Sequence, residues 1–153
     1  MTEIYIDADA CPVKDEVYKV AARYGLQVHV VANSWIRVPV QSRIAFVQVE
    51  DGPDVADDWI ADRAGRGDIV VTSDIPLAQR VLANGAQALR SNGQVFTPDN
   101  IGGALAGRAI GEHLRSMGEM TSGPPPFSNA DRSKFLQALD TAVVKAKRTP
   151  PRT

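Results

Sequence analysis

Cysteine is nearly absent from this 153-residue chain: Cys11 stands alone, which excludes an intramolecular disulfide and a multi-cysteine zinc site. A chain with no disulfide suits a reducing compartment. Histidine is scarce too. His29 sits among valines in a strand pattern and His113 in a helical one, neither near a second metal-ligating residue in sequence, so both read as structural. No run approaches the ~20 apolar residues that span a bilayer. Met1 to Asp9 already carries three acids and no long apolar stretch, which speaks against a signal peptide or membrane anchor. The expected compartment is the cytoplasm, with no membrane partner. Positive charge is not in excess, with 17 Lys and Arg against 18 Asp and Glu for a net charge of -1, so any contact with nucleic acid must be local. Aromatic residues make up 6% of the chain, and no stacking platform for a nucleic-acid strand is evident. Phosphate-binding glycine loops and a nucleophile elbow are also missing.

What remains is an ordinary globular composition, 44% hydrophobic and 23% charged, of a length that suits one domain. Glu3 to Ile6 reads as a strand ending at Asp7. Pro12 then falls where a first helical turn tolerates proline. Val13, Val17, Val20, Ala21 and Tyr24 recur at helical spacing, and Gly25 closes the helix. Further strands are expected over 27–32, 44–49 and 69–71, with helices opening at Asp54 and near Leu77, the latter ended by Asn84-Gly85. Brief strands follow over 86–89 and 95–97, then a glycine-containing helix from Asp99 to about Arg115. Such alternation predicts an α/β fold of three layers, a mainly parallel sheet with helices on both faces. The connection over 33–43 has no helical pattern, which leaves an antiparallel pairing open there. The proline-rich stretch 118–128 reads as a linker inside a single domain spanning 1–146. Ser128 and Asp131 fit a capping box at the start of a docking helix over 129–146, and 147–153 reads as a frayed tail.

The placement of aspartates is the strongest chemical signal. Asp7 and Asp9 follow the first strand, and Asp74 follows the fourth in Thr72-Ser73-Asp74. Ligands of open α/β sheets bind outside the carboxyl ends of strands, where the strand order switches. Asp54, Asp57 and Asp58 open the helix after the third strand, and offsets of three and four residues put them on one helical face. Carboxylates crowded together repel, and a hard cation such as Mg²⁺ or Mn²⁺ relieves the conflict through oxygen ligands.

Plain alternatives accompany each residue. Asp54, Asp57 and Asp58 complement a helix dipole, and Asp74 is placed to cap its helix. Asp7 and Asp9 are harder to explain this way, because acids directly after a buried strand cost desolvation. Lys14, Asn33, Ser73 and Arg37 are candidate substrate contacts, with Arg43, Arg80 and Arg90 as weaker candidates for phosphate. A solvated helix face competes for Lys14 and a turn for Asn33. Cys11 lacks a histidine partner and reads as a packed thiol. Gly103, Gly107 and Gly111 recur every fourth residue, the pattern of tight helix packing or of a subunit contact in a homodimer.

Four stretches resemble the bacterial YaiI/YqxD family: Ile6-Asp7-Ala8-Asp9-Ala10-Cys11-Pro12-Val13-Lys14, Gly52-Pro53-Asp54-Val55-Ala56-Asp57, the run from Gly67 through Thr72-Ser73-Asp74 to Ala78, and Phe127-Ser128-Asn129-Ala130-Asp131-Arg132-Ser133-Lys134-Phe135. That family is similar to PIN domains, metal-dependent ribonucleases with acids at the carboxyl edge of a parallel sheet. The resemblance implies that Asp7 and Asp74 match the acids after the first and fourth strands, with Asp54 or Asp57 the helix-borne acid and Asp9 a further one. Leu89-Arg90-Ser91-Asn92-Gly93 departs from the Pro-Arg-Gly expected there, which puts a role for Arg90 in doubt.

Three functions compete. The first is a Mg²⁺- or Mn²⁺-dependent nuclease acting on RNA, with Asp7, Asp54, Asp57 and Asp74 on the metal and Asp9 positioning water. The second is a phosphatase of the haloacid dehalogenase type, whose paired aspartates Asp7-Ala8-Asp9 imitates, though no obvious lysine completes it. The third is a non-catalytic module that binds metal, nucleotide or RNA.

Overall fold

The computed structural model describes residues 2–8, 11–52, 54–98, 101 and 128–148. Strands and helices alternate along them: β1 (Glu3–Asp7), α1 (Lys14–Tyr24), β2 (Gln27–Ala32), β3 (Ile44–Gln48), α2 (Val55–Arg63), β4 (Ile69–Val71), α3 (Ile75–Ala83), β5 (Gln87–Leu89), β6 (Val95–Phe96) and α4 (Asn129–Arg148). The strands form one six-stranded sheet in the order β3-β2-β1-β4-β5-β6. Every neighbouring pair is parallel except β5 with β6.

Side-chain alternation along the central strands gives the sheet two apolar faces, each needing a cover. Ile4, Ile6, Val28, Val30, Ile69 and Val71 face one core, completed by Val17 and Val20 of α1 and by Phe135, Leu139 and Val143 of α4. Tyr5, Val31, Val70 and Ala88 face the other, completed by Ile60 of α2 and by Leu77 and Val81 of α3. The result is the three-layer α/β arrangement with helices on both faces.

The β2–β3 connection resolves as parallel: Val28 pairs with Ile44 and Ala32 with Gln48. Parallel neighbours need a crossover, usually a helix. Here an extended segment serves, because Ile36 and Val38 pack against the first core as a helix face would.

Local signals set the helix ends. Gly25 caps α1 with φ 69, a left-handed conformation that glycine adopts without strain. Pro12 lies just ahead of α1, in the turn before its cap Val13. Ser128 and Asp131 exchange backbone-to-side-chain hydrogen bonds of 3.1 and 3.2 Å, a capping box with aspartate in the place of glutamate. The last helix continues to Arg148, two residues past its expected end, and Lys147 lies over the Tyr24 ring. It is tied to α1 by Arg132–Glu16 at 2.7 Å and by Arg23 and Tyr24 on Asp140.

The expected helix over 99–115 with its glycine stripe and His113, nearly all of the linker 118–128, and Asp9 lie outside the described residues. Among the described residues, no helix is long and apolar enough to cross a membrane.

Candidate functional site

The chain winds outward from β1 in one direction through α1 to β2 and β3. It then returns through α2 to β4, on the other side of β1. The strand order therefore switches between β1 and β4, and a crevice opens at their carboxyl ends. Ile6 is in register with Val71, which sets the next residues, Asp7 and Thr72, side by side.

A short chain of hydrogen bonds joins them. The Thr72 hydroxyl donates to Asp7 Oδ2 at 2.9 Å and accepts from the Asp74 backbone N–H at 3.0 Å. Asp74 Oδ1 in turn accepts from the Leu77 N–H at 2.9 Å, so Asp74 caps α3 and also belongs to the acidic group. Thr72 is almost fully buried, 3% exposed, and its single hydroxyl links the two strand-end acids. Asp7, Thr72 and Ser73 line a small cavity of about 30 Å³ with Cys11 and Ser91. Burial pushes the Cys11 thiol up, as expected for a packed cysteine.

From α2, Asp54 sits at the N-cap position without making a side-chain cap bond. Asp57 is the member that registers the crowd. Its pKa is raised to about 6, first by withdrawal from water and then by the charges of Asp74, Asp7 and Asp54, with Arg80 acting against them. Four carboxylates from three separate segments thus act on one another at the switch point. Asp58, one residue on, faces away from this conflict: it accepts from Arg80 Nη1 at 2.8 Å.

The candidate substrate contacts divide. Ser73 is exposed at the cavity, and Asn33 is half-buried just past the carboxyl end of β2. Lys14 donates through Nζ to the Cys11 carbonyl at 2.7 Å, and with Arg37 it borders a separate hollow. Arg43 precedes β3, at the opposite edge of the sheet. Arg80 is engaged by Asp58, and Arg90 lies near Gln94 and over Phe96. His29 stacks on Tyr5 at 4.7 Å and bonds Glu3, which makes it part of the packing. A hollow of about 660 Å³ between the β5–β6 turn and α4 is lined by amides, lysines and a threonine. Size alone therefore does not locate the chemistry.

Among the described residues, no group of three or more His, Cys, Asp or Glu side chains is arranged to hold a metal ion. The donor chemistry is nevertheless of the kind a hard cation takes. Mg²⁺ commonly binds through only one or two carboxylates and keeps several waters, so a closed three-ligand cage is not required.

Residues 5–145 match the family described as "Uncharacterized BCR, YaiI/YqxD family". The chain belongs to that family. It is similar to a "UPF0178 protein" of Caulobacter sp. (strain K31), 71% identical over 148 residues that cover 97% of this chain and 98% of the relative. It is also similar to "UPF0178 protein amb2838" of Paramagnetospirillum magneticum (strain ATCC 700264 / AMB-1), 57% identical over 151 residues covering 99% of this chain and all of that one. No solved structure matches.

Two residues escaped the sequence reading. Thr72 was visible only as the end of a strand, and its role depends on the β1–β4 register. Trp35 is 71% exposed, a position that composition alone did not reveal. The unusual placement of a tryptophan in a segment without helical pattern was the available signal.

Proposed function

We propose that this chain is a divalent-metal-dependent nuclease that hydrolyses phosphodiester bonds, with RNA as the expected substrate. One observation carries the reading: Asp57 of α2 is raised to about 6 with Asp74, Asp7 and Asp54 among the causes. Carboxylates kept in mutual repulsion lower stability, and perturbed acids in a crevice mark functional sites more often than chance. Asp7, Asp54, Asp57 and Asp74 would hold Mg²⁺ or Mn²⁺. Such an ion, when bound, supplies a Lewis acid that generates a nucleophile from water at neutral pH.

The chain's own residues have separable tasks in this scheme. Thr72 fixes one oxygen of Asp7 by hydrogen bonding. Asp74 has one oxygen held in the same way, on the Leu77 N–H. Ser73, exposed between them in sequence, is placed to contact a phosphate. Lys14 turns to the Cys11 carbonyl, which favours a metal ion over a lysine as the charge that balances the acids.

The test is cleavage of end-labelled single-stranded RNA by the full chain in Mg²⁺, in Mn²⁺ and in chelator. Cleavage is expected with either metal and not in chelator, and Asp7→Asn is expected to reduce it at least about 100-fold. Cleavage that persists in chelator, or is untouched by Asp7→Asn, would remove the assignment.

A further inference from the structure

Trp35 and Val40 are the most exposed large apolar side chains among the described residues, at 71% and 103%. Both lie in the extended segment between β2 and β3. Its Ile36 and Val38 pack against the core, while Trp35 and Arg37, which alternate with them in sequence, are exposed. Arg37, Val38 and Val40 meet Lys14, Asp15 and Tyr18 of α1 around an open hollow of about 350 Å³. The Tyr18 hydroxyl beneath it is buried without a hydrogen-bond partner, and burial first of all raises its pKa to about 12. An exposed indole thus lies two residues along the chain from a cation that shares a hollow with Lys14.

The position of this surface is set by the sheet. Asp7 is in register with Val31, and Asn33 follows β2 two residues later, so the segment leaves from the same carboxyl edge that carries the acids. We infer that the segment 33–43 and the start of α1 form a binding site for single-stranded nucleic acid, with a base stacked on Trp35 and phosphates held by Arg37 and Lys14. Base–aromatic stacking tolerates any sequence because every base has a π face, and cations beside the ring follow the backbone. Asp15 at the rim reduces the net positive charge, so binding is modest and strongly salt-dependent. That the strand continues toward Asp7 rests on the nuclease reading; the stacking site does not.

The experiment measures anisotropy of labelled short oligouridylate with the full chain in chelator, where cleavage is stopped. A thymidylate strand, a duplex and an abasic strand of equal length serve as comparisons. Binding of single strands is expected to exceed that of duplex and abasic strands, and the RNA-to-DNA ratio identifies the preferred sugar. Trp35→Ala should weaken single-strand binding by about 5- to 150-fold. Arg37→Ala should lower the slope of log affinity against log salt by roughly one. Equal binding of abasic and intact strands, or no effect of Trp35→Ala, overturns the site. A dimer in solution that dissociates on Trp35→Ala without any loss of strand binding makes the surface a contact between copies and likewise overturns it. Strand binding that survives without any RNA cleavage in metal leaves this site standing and removes only the nuclease reading.

Discussion

Glu16 and Asp57 both sit on helices that cover the central sheet, and both are withdrawn from water, yet their surroundings differ in sign. Glu16, at the seam of α1 and α4, has Arg132 at 2.7 Å. Asp68, another buried acid, accepts from the backbone N–H groups of Glu3 and Gly65. Asp57, at the carboxyl edge, is raised by burial and then by the charges of Asp74, Asp7 and Asp54, with Arg80 acting against them. Acids that serve the fold arrive with a donor or a cation. Acids at the switch point arrive with one another.

Substitutions can break this comparison on either side. The largest effect is expected for Asp7→Asn, which should weaken Mg²⁺ or Mn²⁺ binding at least about 100-fold. The readout is the metal-dependent rise in Tm, which follows the ratio of free ion to Kd. Next comes Arg132→Ala, which leaves Glu16 at the seam without its cation. Because the guanidinium is partly exposed, the loss is about 2 kcal/mol, below the value for a fully buried pair. Urea unfolding checks it, and the metal response should be unchanged.

Asp57→Asn has the opposite sign. A carboxyl whose pKa is raised on folding binds its proton more tightly in the folded chain, so stability falls as pH rises from the ordinary value of 3.8 through about 6. Removing the charge should stabilise the metal-free protein by about 1–2 kcal/mol near pH 7, after allowance for solvent screening. The gain should vanish toward about pH 4, where both forms are neutral, and thermal melts across that range in chelator check it. The smallest effect belongs to Arg23→Ala at the exposed end of the α4 contact, within about 0.5 kcal/mol by the same unfolding measurement.

Much of this arrangement was legible in the sequence. Short apolar runs marked the strands, the 17–20–21–24 spacing marked α1, and Ser128 with Asp131 announced the start of α4. Asp7 and Asp74 were recognisable because each closes a continuously apolar strand. What stayed hidden depended on contacts far apart in sequence. The parallel pairing of β2 with β3 rests on Ile36 and Val38 finding the core, and no local period records that. Asp57 and Asp58 share a helical face by spacing, and only the packing of α3 beside α2 brings Arg80 to one and leaves the other among acids. Thr72 acquires its link between Asp7 and Asp74 from the register of β1 with β4.

Carboxyl-carbon NMR of Asp57, titrated with and without Mg²⁺, tests most directly whether these acids form one ionic centre. Its midpoint should lie near about 6 in chelator and move clearly lower in saturating Mg²⁺, with Asp7→Asn abolishing the displacement. The same titration curve in both solutions would contradict the account.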